Sequence, residues 1–328
     1  MKKQLFPRLF AWLSLTLLIG CNDNDTMPVK STTAPSPEAF NAVQDAALEN
    51  ITQQFQITAN SGDVNLMSEK GVSIYINSNH LTLNGVPVTG TVDLKFIEIF
   101  DSALMAATNK ATMGRKLNGD LAMLLSGGEF YINAYKNGQA LEIARPMRLI
   151  VPTVLTGGVN NEMRLWNAVA RDTIGLGRNL VWDPVNINAQ DNGLGIENDN
   201  YYAYFNNFGW TNVDCFYNDP RQKTTILVAP PAGYNADNST VYLSYDGRGN
   251  ALAQLNVFTD EGYFSEHYGQ IPIGLPCHVI FVSASGNQFT YAIKPVTIVA
   301  NQVISFSNDA LLTGSEADFI AAVRAIQE

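Results

Sequence analysis

The chain opens with an apolar run and then shifts between helical and strand periodicity. Residues 9–17 are largely apolar, follow Lys2, Lys3 and Arg8, and lead into Leu18-Ile19-Gly20-Cys21. A basic start, a short apolar core and a small residue at the cleavage point predict a secretory signal, because a spanning helix needs about 20 apolar residues. We therefore expect the residues after Gly20 to be exported.

The position of Cys21 makes this prediction more specific. It directly follows Gly20, and Leu18-Ile19-Gly20-Cys21 resembles the lipobox of bacterial lipoproteins. The resemblance implies a signal peptide over residues 1–20, acylation of Cys21 and membrane lipid as a partner. Residues 21–37 are polar and rich in Ser, Thr and Pro, which predicts a flexible tether. Their acidic start resembles the export signal of Bacteroidota lipoproteins, which implies a lipid-anchored, surface-exposed place on the outer membrane.

Two segments, one near each end of the mature chain, carry apolar residues at helical spacing. Ser36-Pro37-Glu38 precedes the first, and Ser315 with Asp318 begins the second. These are helix-capping sequences, so both segments are predicted to be amphipathic helices with one packed face. The apolar positions are Phe40, Val43, Ala47 and Ile51 in the first helix and Phe319, Ile320, Val323 and Ile326 in the second.

Most of the remaining chain alternates with the period of a strand. Val72, Ile74 and Ile76 alternate with polar residues, and Asn84-Gly85 and Asn137-Gly138 lie between short strands as hairpin turns. Strands at short intervals without crossover helices predict a mostly β fold of antiparallel sandwiches.

A mature length of about 300 residues favours two domains. We assign residues 38–190 to a helix plus a first sandwich. Residues 191–328 form a second sandwich with the C-terminal helix. The polar loop from residue 191 to residue 200 marks the boundary between the two domains.

Several strands resemble known families in their order along the chain. Residues 92–98, 125–130 and 149–152 resemble ZU5-like β-sandwiches, which are adaptor or interaction modules. The same stretches, with Thr112-Met113-Gly114 and residues 209–214, are similar to a group of secreted Bacteroidota lipoproteins of unknown function. Residues 272–282 resemble carboxypeptidase-regulatory or prealbumin-like domains. The resemblance to ZU5-like sandwiches implies an interaction module and no active site.

The charge balance limits the classes of molecule that the protein can bind. The sequence has 20 basic and 30 acidic side chains, and removal of residues 1–20 would change the formal net charge from −10 to −13, because that segment holds three basic and no acidic residues. Nucleic acid is excluded as a partner, since its binding needs clustered Lys and Arg.

The cysteines and a cluster of acidic residues suggest a disulfide and a calcium site. Cys215 and Cys277 could form a disulfide or remain two buried thiols, and the sequence leaves both alternatives open. Asp191, Glu197 and Asp199 could bind Ca²⁺ as hard oxygen ligands, or could simply favour turns. No other cofactor is predicted.

The densest signal is aromatic. Eight aromatic residues lie between Tyr201 and Tyr217. Exposed rings would bind sugars or a protein, whereas buried rings would fill a core. Trp210, Tyr202, Tyr204 and Asp214 are the candidate binding residues.

No hydrolase motif or paired histidine motif occurs in the sequence. We therefore expect a non-enzymatic interaction or accessory module that docks on an outer-membrane or secreted protein. The alternative is a surface glycan-binding lipoprotein that uses the segment around Trp210. A hydrolase of cell-surface polymer is the enzymatic alternative.

Overall fold

The computed structural model describes residues 33–170, 179–185, 193–266 and 269–327. The predicted signal peptide, Cys21, most of the tether and Asp191 lie outside these ranges, so their roles stay predictions. The prediction of a mostly β fold is confirmed. Within the described ranges, no helix has the length and apolar character needed to cross a membrane.

The described residues contain three α-helices and 27 strands. The helices are α1 (Pro37–Asn50), α2 (Ser102–Thr108) and α3 (Glu316–Ala325). The strands up to residue 216 are β1 (Gln53–Ala59), β2 (Asp63–Met67), β3 (Ser73–Asn77), β4 (Leu81–Leu83), β5 (Val86–Pro87), β6 (Gly90–Ile99), β7 (Met113–Arg115), β8 (Leu121–Lys136), β9 (Gln139–Ala140), β10 (Glu142–Ile143), β11 (Met147–Pro152), β12 (Arg164–Ala170), β13 (Leu180–Pro184), β14 (Gly193–Glu197), β15 (Asn200–Phe205) and β16 (Gly209–Phe216). The later strands are β17 (Lys223–Thr224), β18 (Leu227–Ala229), β19 (Thr240–Tyr245), β20 (Ala253–Gln254), β21 (Val257–Phe258), β22 (Phe264–Ser265), β23 (Ile271–Pro272), β24 (Pro276–Ser285), β25 (Gln288–Thr297), β26 (Val303–Ser305) and β27 (Leu312–Gly314).

Two large sheets contain most of the strands before residue 217. The central sheet has the order β1-β6-β8-β16-β12-β13-β7, with β9 also paired to β8. The outer sheet has the order β14-β15-β11-β3-β2. Of their strand pairs, only β13 with β7 is parallel; the other described pairs in both sheets are antiparallel. Strand β8 is 16 residues long and pairs with β6 on one side and β16 on the other.

The central sheet is covered on both faces. Along β6, Phe96 packs into a core shared with the outer sheet, whereas the next residue, Ile97, packs into a second core. Successive side chains of a strand point to opposite faces, so this alternation means that each face of the sheet buries apolar surface. The second core also contains residues from α1, α2, α3 and the C-terminal strands.

Both predicted terminal helices are confirmed. Ser36 caps α1 by accepting from the Ala39 N–H, and Ser315 forms a capping box with Asp318 at the start of α3. The predicted apolar faces of both helices pack into the second core. Helix α2 was not predicted, because it is short and buried almost all round and therefore lacks an amphipathic pattern.

Both predicted Asn-Gly hairpins are also present. Asn84 and Gly85 have φ of 51° and 76°, and Asn137 and Gly138 have φ of 50° and 77°. The strands on either side pair antiparallel, β4 with β5 and β8 with β9. Positive φ at both central positions is what such two-residue turns require.

The strand pairing does not change at the expected boundary between residues 190 and 191. Strands β14 and β15 belong to the outer sheet and β16 to the central sheet, so residues 193–216 pair with strands from the first half. From β17 onward, the described strands pair only with one another. The partner of a strand is set by tertiary contacts that loop composition does not encode, and the division into two domains stays a prediction.

Candidate functional site

Two motifs that lie far apart in the sequence meet where β8 pairs with β16. Glu129 is opposite Asn212, and Ser126 is opposite Asp214. Between these pairs Gly127 and Gly128 face the single residue Val213, which makes a β-bulge. A side chain at Gly127 would meet the Val213 carbonyl oxygen at 2.7 Å, and one at Gly128, whose φ is 132°, would meet the Phe130 ring at 2.5 Å. The bulge therefore requires both glycines.

The polar groups at this bulge are buried and bond to one another. Asn212 donates to Asp214 Oδ2 at 2.5 Å, and Ser126 Oγ donates to Asn212 Oδ1 at 3.3 Å. Trp166 Nε1 donates to the Asp214 carbonyl oxygen at 2.9 Å. These bonds fix the strand conformation on each side of the bulge.

Burial also changes the acidity of the two carboxyl groups. Burial raises the pKa of Glu129 well above its usual range, the nearby Asp214 raises it further, and Lys110 opposes the shift. Burial raises the pKa of Asp214 too, against the lowering effect of hydrogen bonds from Ser126, Asn212 and the Gly127 backbone. Neither carboxylate oxygen of Glu129 accepts a hydrogen bond from a described residue. Both groups therefore favour the neutral form.

The candidates Trp210 and Asp214 belong to this buried cluster. Trp210 is 7% exposed and packs against the Tyr131 ring, with centroids 5.4 Å apart, while Lys110 Nζ lies 5.3 Å from its centroid. Asp214 is 0% exposed. Their burial agrees with the alternative in which the aromatic segment fills a core, and their role as binding residues stays a prediction. Their strand, β16, belongs to the central sheet, and both faces of that sheet are covered. The density of aromatic residues in the sequence does not show this burial.

Tyr202 and Tyr204 lie elsewhere, on the solvent-facing side of the outer sheet. Their neighbours Tyr201, Ala203 and Phe205 point into the core, as alternation along β15 requires. Tyr204 is 38% exposed and Tyr202 is half-buried. The structure thus separates the four predicted binding residues into a buried pair and a surface pair.

The strand register aligns the surface tyrosines with other outward residues in two rows across all five strands. We call these two rows the tyrosine–arginine face. One row is Asn65, Tyr75, Arg148, Tyr204 and Gly193, and the other is Met67, Ser73, Ile150, Tyr202 and Gly195.

Arg148 lies at the middle of the first row. Its Cζ is 4.3 Å from the centroid of the Tyr75 ring. Its Nε is shielded from solvent and donates no hydrogen bond to a described residue. Stacking on an aromatic ring holds a guanidinium in place while leaving its donors for other acceptors. A groove along this row is lined by Asp63, Asn77 and Tyr204 among others.

Glycines form the edge of the face. Gly193 is opposite Tyr204, and Gly195 is opposite Tyr202. Among the described residues, a Cβ at Gly193 would meet no atom within 4 Å, and one at Gly195 would meet only Tyr202 Cβ at 3.7 Å. Strand β14 therefore has no side chain at the two positions directly opposite the tyrosines.

The remaining candidates are not brought together. Glu197 and Asp199 lie at the β14–β15 turn, and Asp191 is outside the described residues. No three His, Cys, Asp or Glu residues within the described ranges are placed to hold a metal ion. The Ca²⁺ site stays a prediction.

Cys215 and Cys277 are free, buried thiols in different cores, so the structure has the unpaired alternative rather than the disulfide. Burial raises the pKa of Cys215 to about 11 and that of Cys277 to about 12.

Sequence reasoning missed Tyr75 and Arg148 as site residues. The alternation in β3 and β11 shows that both point away from the core. It does not show that the two strands are neighbours, which is what places the guanidinium over the ring.

No protein-family model matches the chain, and no curated protein is similar to it. The class that the structure defines is a mostly β protein with an exposed aromatic sheet face.

Proposed function

We propose that this protein is a lipid-anchored lipoprotein of the outer membrane, held by Cys21 and facing outward, that acts as a non-enzymatic interaction module. Its binding surface in this proposal is the tyrosine–arginine face. The observation that carries the proposal is the row in which Tyr75, Arg148 and Tyr204 lie side by side on an open sheet. Aromatic and arginine side chains are the ones that most often dominate binding energy.

The proposal includes two sandwich units. The first consists of the central and outer sheets, which share one core of buried residues. The second is formed by the sheets after residue 217, which share the other core with α1, α2 and α3. In this arrangement, the outer sheet keeps one face free for a partner.

The buried carboxyl pair has a structural role in this proposal. Glu129 and Asp214 are the described acids with strongly raised pKa, which is a feature of many acid–base catalysts. Both are 0% exposed and lie inside the layers of the protein, where a polymer substrate has no access. A structural role at the bulge accounts for them.

Photo-cross-linking tests the binding surface. Met67 on the face and Val299 outside it have the same exposure, 59%, so they are a matched pair for replacement by p-benzoylphenylalanine. The experiment uses the full-length protein in living cells that display it. We expect an adduct of increased mass from position 67 and none from position 299. The face is not the binding surface if position 67 gives no adduct, or if both positions give the same one.

Metabolic labelling tests the anchor. Radioactive palmitate should label the full-length protein, and the Cys21→Ser variant should remain unlabelled. Label retained in the variant would contradict acylation at Cys21.

A further inference from the structure

We infer that the tyrosine–arginine face binds a neutral polysaccharide made of hexopyranose units. This inference rests on the proposed function, because it takes the same face as the binding surface and assigns the chemistry of its ligand. The ligand lies across the strands, along the row from Tyr75 to Tyr204.

The spacing of the row favours a chain of sugar rings. Tyr75 and Tyr204 lie on β3 and β15, the strands on the two sides of β11. Neighbouring strands are about 4.8 Å apart, so the two tyrosines are separated by about 10 Å across the sheet. That span accommodates two linked pyranose units. The apolar C–H face of such a ring packs on an aromatic side chain, as other apolar groups do.

Arg148 supplies the polar part of the recognition. It lies between the two tyrosines, and its guanidinium is stacked on Tyr75. A guanidinium presents several N–H donors in a rigid plane, which suits adjacent hydroxyl or ring oxygens of a sugar. Asn65 extends the row at one end with an exposed amide, which can both donate and accept.

The open edge explains how a polymer fits. Gly193 and Gly195 end the two rows without side chains, so a chain longer than two sugar units can continue past β14. Glycine within a strand weakens it, so two glycines at these positions cost stability that an ordinary edge residue would not. An unobstructed path over the tyrosines is a functional reason for them.

The net charge of the protein favours a neutral polymer over an acidic one. The chain has a formal net charge of −10. An excess of negative charge repels a polyanion over the whole surface, whereas a neutral polymer is unaffected. A single arginine at the centre of the face, with Asp63 in the adjoining groove, does not reverse that balance.

Affinity electrophoresis of the full-length protein in mild detergent tests the inference. Native gels contain a soluble β-glucan, a mannan or a galactan, and parallel gels contain polygalacturonate or no polymer. We expect at least one neutral polymer to retard the protein. Tyr204→Ala and Arg148→Ala should each weaken binding by about tenfold, since each removes one principal contact.

Gly193→Val provides the sharpest variant. Valine fits a strand, and its Cβ would meet no atom of the described residues within 4 Å, so we expect the variant to fold normally. Its branched side chain lies beside Tyr204 and should block the polymer while leaving every tyrosine in place. Tyr263→Ala is the matched control, because Tyr263 is a half-buried tyrosine outside the outer sheet, and it should be retarded like the unmodified protein.

Three results would overturn the inference: no retardation by any neutral polymer, retardation by polygalacturonate alone, or equal retardation of Gly193→Val and the unmodified protein. Failure here is separable from failure of the proposed function. The adduct at position 67 can be treated with protease or with periodate. If protease removes the added mass and periodate does not, the face remains a protein-binding surface and the sugar ligand is rejected. An absent adduct together with absent retardation would reject both.

Discussion

Asn250 and Ser126 exchange two hydrogen bonds although 124 residues separate them. The Ser126 N–H donates to the Asn250 carbonyl oxygen at 3.0 Å, and Asn250 Nδ2 donates to the Ser126 carbonyl oxygen at 2.7 Å. Ser126 begins the bulge in the central sheet, and Asn250 lies in the turn between β19 and β20. The contact is one of several hydrogen bonds that join the two groups of strands, among them those between Thr112 and Leu252.

We expect Asn250→Ala to lower the free energy of unfolding by about 1–2 kcal/mol, because it leaves the Ser126 carbonyl without its side-chain donor. Urea unfolding followed by fluorescence measures this. Asn118→Ala removes a local, exposed hydrogen bond to Asp120 and should change stability by less than about 0.5 kcal/mol. Equal effects of the two substitutions would show that Asn250 does not join the strand groups.

Stability should fall as the pH rises above about 4.5, because of the buried carboxyl groups. Burial raises their pKa values in the folded state above the ordinary values of 4.5 for Glu129 and 3.8 for Asp214. Between the unfolded and folded pKa values the native state binds more protons than the unfolded chain. The free energy of unfolding consequently decreases with pH in that window.

Glu129→Gln should reduce this slope, because glutamine resembles the protonated acid and cannot ionise. Urea unfolding at pH 5 and pH 8 measures the difference, and we expect the variant to gain stability relative to the unmodified protein at pH 8. Glu261→Gln changes an exposed acid and should leave the profile unaltered. An unchanged slope in Glu129→Gln would mean that Glu129 is not held neutral.

Cys215 and Cys277 should be unreactive in the folded protein. Both are buried, and their pKa values are raised to about 11 and about 12, so neither presents a thiolate at pH 8. Iodoacetamide should modify both peptides after unfolding without reductant and neither before it, as read by mass spectrometry. A requirement for reductant would establish the disulfide instead.

Phe319 anchors the C-terminal helix. Its ring stacks on Phe289 with centroids 4.9 Å apart and lies 5.1 Å from the Tyr291 ring. Phe319→Ala should lower the free energy of unfolding by about 3–5 kcal/mol, the usual cost of emptying a buried aromatic site. Ile320→Ala, at the partly buried neighbour, should cost less. If the two variants lose equal stability in urea, α3 is not held by this aromatic cluster.

Local features were predictable where a few adjacent residues decide the conformation. Asn84-Gly85 tolerates positive φ at both positions, and Ser315 with Asp318 satisfies the first N–H groups of α3 without help from the rest of the chain. The alternation along β15 places Tyr202 and Tyr204 on one face and Ala203 and Phe205 on the other, but only the structure shows that the second face is the buried one. The sequence alone thus determined that the chain is mostly β, with a helix near each end.

The tertiary structure decided which strands are neighbours, and with that, which residues share a site. The segment around Trp210 and the tyrosines of β15 are close in sequence, yet they entered different sheets, one covered on both faces and one open to solvent. Arg148 and Tyr75 are far apart in the sequence and became stacked. The periodicity of a strand shows only that one of its faces is more apolar than the other. The burial of each face depends on long-range pairing, which minimises exposed apolar surface over the whole fold.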